Sequence, residues 1–190
     1  MRHNLSLDGH RFGLRPVVLE DAAAILALRL DPHLGRFLHA TSAKLSDQED
    51  WLRAYFERAG DYYFAIFDRR PDEVAGFVGI YDVDPVSGAA EWGRWLVVQG
   101  SLAAVESAQL IHRAAFDLLN LQALYSRTVA QNVRAVSFHR SMGAQLDGRL
   151  PGHVVLEGNA RDSVQYRVDR HLWASLGPRL DTLARRIAEA

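Results

Sequence analysis

Residues 132–144, NVRAVSFHRSMGA, combine a short helix pattern with two polar side chains that could do chemistry. Asn132 is a preferred helix cap, Phe138 and Met142 belong to an apolar stripe, and Gly143 is typical of a helix end. At 100° per residue, His139 lies beside that stripe, on the edge that carries Asn132. Both side chains could therefore face one ligand, and histidine can exchange a proton near neutral pH.

A second candidate lies at the junction of a strand and a helix, LVVQGSLAAVES, residues 96–107. Gly100 leaves room for close approach, Ser101 can cap the helix, and Leu102, Ala103 and Ala104 present free backbone N–H groups. Together with the helix dipole, these amides suit an anion, most naturally a phosphate. The alternative is an ordinary Gly-Ser turn that only caps a helix.

The elements around these candidates predict an α+β fold with a mixed, mostly antiparallel sheet flanked by helices. A crossover runs from strand 89–98 through helix 102–120 to strand 123–130, which makes these two strands parallel. In chain order we predict strand 11–17, helices 19–30 and 45–59, strands 62–68, 73–83 and 89–98, helix 102–120, strand 123–130, helix 132–143, strands 153–158 and 162–169, and helix 178–190, with Pro178 near its first turn.

Composition narrows the class of protein. The chain has 190 residues, 48% of them hydrophobic, which fits one domain over 1–190. Lys and Arg number 22 against 23 Asp and Glu, so we expect no nucleic-acid partner. Cysteine is absent and the eight histidines form no HxxxH or HxH pair, so we expect no metal site. No apolar run could span a bilayer, and MRHNLSLDGH lacks a signal-peptide core, so we expect a cytoplasmic protein without a membrane partner.

With this element order, four stretches resemble the GNAT superfamily of acyl-CoA-dependent N-acyltransferases. They resemble most the branch of ribosomal-protein and nucleotide-sugar amine acetyltransferases. The resemblance covers about residues 11–170, which leaves 171–190 as a C-terminal helical extension that either covers the sheet or mediates a homodimer. The four stretches are LRPVVLEDA (14–22), AEWGRWL (90–96), LNLQALYSRTVAQN (119–132) and NVRAVSFHRSMGA (132–144).

The resemblance implies that acetyl-CoA is the co-substrate and binds between two splayed strands, 91–98 and 124–130. Its pyrophosphate would rest on the start of the helix that follows the first strand, and Asn132 would bond the pantetheine amides. A backbone N–H of Val97 or Val98 would polarise the thioester carbonyl. The implied coenzyme contacts are Leu96, Val97, Val98, Gly100, Ser101, Leu102, Ala103, Ala104 and Asn132.

The QGSLAA loop departs from the family pattern. Leu102 occupies the position of the first family glycine, and the arginine often found in that loop is missing. This departure keeps a second hypothesis open, in which the chain is a catalytically inactive coenzyme-binding or structural protein.

The resemblance also assigns two catalytic candidates. His139 occupies the position of a family tyrosine that protonates the leaving thiolate, and it could do so if its surroundings favour the cation; otherwise it packs at the helix edge. Glu91 occupies the position of a glutamate that relays the amine proton. Strand alternation predicts Glu91, Gly93 and Trp95 on one face, and Trp92, Arg94 and Leu96 on the other.

A carboxylate flanked by two tryptophans would have a raised pKa, which helps it to accept a proton. The alternative for Glu91 is an ion pair with Arg94 or Arg127. The expected reaction is direct attack, in a ternary complex, by a primary amine of a small molecule, an amino sugar or a protein N-terminus. Of these acceptors, the histidine at 139 favours a small amine or an amino sugar.

Overall fold

The computed structural model describes residues 3–190, which form one eight-stranded sheet and five α-helices. The strands are β1 (Leu7–Asp8), β2 (Phe12–Pro16), β3 (Tyr62–Asp68), β4 (Glu73–Tyr81), β5 (Ala89–Val97), β6 (Ala123–Val129), β7 (Gln145–Leu156) and β8 (Asn159–Asp169). The helices are α1 (Ala22–Leu30), α2 (Leu45–Phe56), α3 (Ala103–Arg113), α4 (Val133–Met142) and α5 (Arg170–Glu189). The domain expected over 1–190 begins with Met1 and Arg2, which lie outside the described residues. Every helix within them is too short or too polar to span a lipid bilayer.

The strand order is β1-β2-β3-β4-β5-β6-β8-β7, and β5–β6 is its parallel pair. The predicted α+β fold with one parallel step is therefore confirmed. Pairing between β5 and β6 ends at Glu91 opposite Tyr125, although β5 continues to Val97 and β6 to Val129. The two strands thus separate over their second halves, and their facing edges carry unpaired backbone groups.

The C-terminal helix is longer than the pattern suggested. The prediction of a helix over 178–190 with Pro178 in its first turn is wrong, because α5 begins at Arg170 and holds Pro178 in its interior. Asp169 caps it by accepting a hydrogen bond from the backbone N–H of Leu172 at 2.7 Å. An apolar stripe then packs α5 against α3, which compensates for the bond that proline removes. The buried stripe consists of Trp173, Leu176, Leu180, Ala184 and Ala188.

The last hairpin also begins earlier than predicted. We expected strands over 153–158 and 162–169, but β7 starts at Gln145. Its register against β8 shifts twice, between Leu146 and Gly148 and between Leu150 and Val154. Each shift breaks the two-residue alternation by which a strand is recognised. The first half of β7 is therefore invisible to pattern analysis.

Two apolar cores fill the two faces of the sheet. Phe64 and Ile66 of β3 point into the core beneath α3 and α5, whereas Tyr63 and Ala65 point into the core beneath α1 and α2. The strand alternates strictly between them, as a sheet covered on both faces requires.

His112 of α3 is a fully buried polar residue in the larger core. Its side chain is fully buried among Trp92, Trp173 and Phe116, with ring centroids 5.2, 5.4 and 6.3 Å away. Nδ1–H donates to the carbonyl of Ala108 at 2.7 Å, and Nε2 has no partner. Burial lowers the pKa of His112 to about 4, since the charged imidazolium would lose its hydration.

Acid should therefore destabilise the fold through His112. The unfolded state takes up the proton below its pKa of about 6.5 and the folded state only near 4, so stability is lost as pH falls through this window. The free energy of unfolding falls by about 3 kcal/mol through this histidine. We expect urea unfolding between pH 7.5 and 4 to show a smaller loss in His112→Leu than in the wild type. The exposed His171→Leu is the matched control, and equal losses in all three proteins would contradict the account.

Candidate active site

The site is organised by a β-bulge in β5. The register with β4 shifts between Phe77 and Gly79, so that Arg94 and Trp95 lie together opposite Val78. Arg94 adopts a left-handed backbone conformation with φ of 49°. An inserted residue of this kind reverses the faces of all side chains that follow it.

The bulge overturns the predicted alternation along β5. Trp95 does not share a face with Glu91, because its ring lies 5.5 Å from that of Trp92 and its Nε1–H donates to Ser107 of α3 at 3.1 Å. Arg94 instead lies on the opposite side of the strand. The expectation that two tryptophans flank Glu91 is therefore wrong.

Glu91 is nevertheless a buried carboxylate, with 8% of its surface exposed. Tyr81 donates its hydroxyl to Oε1 at 3.2 Å, and Arg127 donates NH1 to Oε2 at 3.1 Å. Burial raises the pKa of Glu91 above its ordinary value, while the positive charge of Arg127 opposes the rise. Both alternatives from the sequence hold in part: the carboxylate has a raised pKa, and it pairs with Arg127. Arg94 pairs with Asp61 instead.

Gly93 makes the Tyr81 contact geometrically available. A Cβ at this position would collide with the hydroxyl of Tyr81, so only glycine lets that hydroxyl pass over β5. The phenol therefore reaches Glu91 across the strand, and sequence analysis gave no sign of this partner.

Glu91 opens into a central cavity of about 380 Å³. The structure brings Glu91, Leu96, Asn132 and His139 together in its lining, from β5 and from α4. The remaining wall comes from the ends of β6 and β8, from β7, and from the segment between α1 and α2. A carboxylate with a raised pKa and an imidazole thus line the same cavity.

His139 is held neutral by its surroundings. Its side chain is 4% exposed, stacked on Tyr166 at 5.6 Å and edge-on to Trp92 at 5.2 Å. Burial lowers its pKa to about 4, and the neighbouring His112 adds to the effect. The condition that the site favours the cation is therefore not met. Its Nδ1 lies 3.4 Å from Oγ of Ser126, whereas Nε2 has no bond within residues 3–190 and remains accessible.

A larger cavity, the cleft, continues from the central cavity between the end of β5 and the start of α4 and has a volume of about 550 Å³. Leu96 and Asn132 line both cavities, so the two adjoin at these residues. Six of the nine predicted coenzyme contacts line the cleft: Leu96, Val97, Val98, Ser101, Ala104 and Asn132. Gly100, Leu102 and Ala103 lie nearby in the chain but not in its lining.

The backbone donors differ from the expectation at two places. The N–H of Val98 donates to Ala75 at 2.9 Å, so only that of Val97 is a candidate for a ligand. Because donors alternate along a strand in an antiparallel ladder, the Val97 N–H points to the separated β6 side. At the helix start, the N–H of Ala103 donates to Oγ of Ser101 at 3.2 Å and is not free.

Two arginines that line the cleft were not among the predicted contacts. Arg36 follows α1, and Arg134 lies in the first turn of α4. They supply positive charge near the loop that lacks its arginine. Only Arg134 could have been predicted from the sequence, because it lies two residues after Asn132 in the helix start of the NVRAVSFHRSMGA motif.

Comparisons with known proteins agree with this geometry. Residues 11–145 match the family model of the acetyltransferase (GNAT) domain. Spermidine N(1)-acetyltransferase of Escherichia coli K12 is 24% identical over 178 residues, covering 86% of this chain and 89% of that protein. A GCN5-related N-acetyltransferase from Brucella melitensis superposes with a TM-score of 0.83 at 22% identity, covering 96% and 86% of the two chains. Apo FdhC, a nucleotide-linked sugar GNAT, gives 0.78 at 26% identity over 96% and 98%.

The electrostatics of Glu91 can be tested directly. Arg127→Gln should raise the pKa of Glu91 further, because it removes the charge that stabilises the carboxylate. Tyr81→Phe should raise it as well, by loss of one hydrogen bond. The measurement is a ¹³C NMR titration of the assigned Glu91 carboxyl. Arg149→Gln, which breaks the distant pair with Asp162, is the control; an unchanged or lower pKa in Arg127→Gln would refute the assigned cause.

Proposed function

The chain belongs to the GNAT acetyltransferase family, and from this premise we propose that its cleft binds acetyl-CoA and its central cavity binds the acceptor amine. It is an acetyl-CoA-dependent N-acetyltransferase that acts on amines. The observation that carries the assignment of the two cavities is their shared lining at Leu96 and Asn132, with Glu91 facing one of them.

The lining of the cleft fits the coenzyme. The separated edges of β5 and β6 offer unpaired backbone groups to the pantetheine amides, and Val97 contributes its free N–H. The side chain of Asn132 accepts from the N–H of Ala135 at 3.2 Å, which orients it at the rim and leaves its amide N–H₂ to donate. Arg36 and Arg134 would pair with the phosphates.

The loop before α3 has a smaller part in this proposal than the family pattern suggests. Gly100 has a φ of 81°, and a Cβ there would meet nothing within 4 Å, so its surroundings leave room for a bulky group. Ala104 lines the cleft. Leu102 and Ala103 contribute mainly to the helix start, with Ala103 bonded to Ser101.

Acetyl-CoA supplies an acetyl group activated as a thioester. Glu91 would accept the proton that the acceptor ammonium must lose before its nitrogen can attack. The raised pKa of Glu91 suits this task, and Arg127 and Tyr81 hold the carboxylate in place. Since the chain has no cysteine to carry an acyl group, we infer direct attack within a ternary complex.

His139 would act as a neutral hydrogen-bond donor to the leaving sulfur. We assign the proton to Nε2, with the Ser126 hydroxyl donating to Nδ1, so that Nε2–H points into the cavity. A negative charge that develops nearby would attract this N–H and raise the pKa of the ring. The side chain can thus stabilise the leaving sulfur although it is uncharged at rest.

Replacement of Glu91 tests the reaction route. In the wild type, double-reciprocal plots at several acceptor concentrations should intersect, as a ternary complex requires. Glu91→Gln should lower kcat by about 10²- to 10⁴-fold with coenzyme affinity retained, because the base is lost and the shape is kept. Rates and calorimetry measure the two quantities. Parallel plots or an isolable acyl-enzyme would overturn direct attack, and coenzyme binding without turnover of any amine would favour the inactive alternative.

His139 can be tested separately. His139→Phe should leave the coenzyme dissociation constant unchanged and lower kcat by about 10²-fold, and His139→Tyr should restore part of the rate, because a phenol can donate from the same helix edge. Ser126→Ala, which frees Nδ1 without removing the ring, should have a smaller effect. If His139→Phe turns over normally, the role of the imidazole is packing against Tyr166.

A further inference from the structure

A side cavity of about 270 Å³ opens between α1, α2 and the segment that joins them. Arg29 and Arg94 line both this side cavity and the central cavity, so a ligand could extend from one into the other. Its remaining polar lining comes chiefly from Thr41, Ser42 and Gln48, with Trp51 beside them.

Arg29 is a half-buried cation without a counterion. Its Nε donates to Oγ1 of Thr41 at 2.7 Å and its NH2 to the carbonyl of His39 at 3.3 Å. No carboxylate within residues 3–190 forms an ion pair with it. Burial lowers its pKa, and the charge of Arg94 adds to the effect, so an anion brought to this guanidinium would be stabilised.

Gln48 is a second group that lacks a partner. Only 7% of its surface is exposed, and its amide makes no hydrogen bond within the part of the chain described. The amide is not sealed in the protein, because it lines the side cavity. Buried polar groups are normally satisfied, so an amide without a hydrogen-bond partner, in the same cavity as a guanidinium without a counterion, indicates a binding site for a polar ligand.

We propose that the acceptor amine carries an oxyanion, a carboxylate or a phosphate, that binds Arg29 and Gln48 in the side cavity. This inference rests on the proposed function, because it places the amine of the same molecule at Glu91. The NH1 group of Arg29 and the amide N–H₂ of Gln48 supply the donors, while Trp51 lies next to the bound group.

The balance of charge distinguishes such an acceptor from a polyamine. Arg94 is neutralised by Asp61 and Arg127 by Glu91, which leaves Arg29 as the uncompensated charge inside. Asp47 also lines the side cavity, but it is exposed and its charge is screened by solvent. A polycation such as the spermidine of the Escherichia coli relative would place ammonium groups beside Arg29, where like charges repel.

Matched acceptors test this inference. Acetylation rates would be compared for 6-aminohexanoate against hexylamine, for phosphoethanolamine against ethanolamine, and for spermidine. The member of at least one pair that carries the oxyanion should have a kcat/KM at least 10-fold higher, and the pair that responds identifies carboxylate or phosphate. Equal values within both pairs, or preference for spermidine with a loss in Asp47→Asn, would overturn it.

Variants separate specificity from chemistry. Arg29→Gln should raise the KM for the oxyanion-bearing acceptor about 10- to 100-fold with little change in kcat, have no comparable effect on the KM for the matched amine that lacks the oxyanion, and be partly rescued in Arg29→Lys. Gln48→Leu should raise the same KM. Because Gln48 makes no hydrogen bond to the segment that Arg29 holds, this variant guards against a folding defect. The exposed Arg53→Gln is the control. An equal loss for acceptors with and without the oxyanion in Arg29→Gln, with no effect of Gln48→Leu, would refute the assignment.

A binding measurement distinguishes failure of the proposed oxyanion site from failure of the proposed function. Calorimetry with 6-aminohexanoate and phosphoethanolamine, in the presence of CoA, should detect binding of one of them to the wild type and not to Arg29→Gln. Binding without acetylation would retain the oxyanion site and reject the assigned reaction geometry. Acetylation of hexylamine or ethanolamine, with no binding of either oxyanion-bearing acceptor, would retain the function and reject the site.

Discussion

Arg94 holds a left-handed backbone conformation in the middle of β5, and the placement of the functional side chains depends on it. A residue with a Cβ is strained there by about 1–2 kcal/mol. The strain is offset by a bidentate pair with Asp61 and by the ring of Tyr81, whose centroid lies 4.4 Å from the guanidinium carbon. Because the bulge turns Trp95 toward α3, the face of Glu91 is left to Tyr81 and Arg127.

A second constraint acts on the same strand. The α3 crossover makes β5 and β6 parallel, yet their pairing ends at Glu91, at the point where the carboxylate enters the central cavity. Bulge and separation therefore occur within six residues of one strand, Glu91–Leu96. The first sets which side chains face the central cavity, and the second leaves backbone donors such as the Val97 N–H unpaired at the cleft that we assign to the coenzyme.

The sequence predicted what local periodicity encodes. Alternating strands and the long apolar helix gave the α+β fold and its parallel step, and the helix start at Asn132 placed that residue and His139 on one cavity. The face of Trp95 could not be predicted, because the left-handed position of the bulge is occupied by Arg94 and not by a glycine, which would have marked it in the sequence. The protonation of His139 could not be predicted either, since it depends on Tyr166 and Trp92, which are brought to it from two other strands.

Burial acts in opposite directions on the pKa values of the two groups that we propose for proton transfer. Removal of water raises the pKa of the Glu91 carboxyl and lowers that of the His139 imidazole, because in each case the charged form loses hydration. The positive charge of Arg127 favours the ionised form of the proposed base, Glu91, whereas His139 forms no ion pair within residues 3–190 and burial keeps it neutral. An imidazole that becomes a strong proton donor only when negative charge forms next to it does not protonate the acceptor nitrogen beforehand. In the proposed reaction, the same low-dielectric cavity thus favours a neutral, nucleophilic amine at Glu91. It also keeps His139 neutral until negative charge forms beside it.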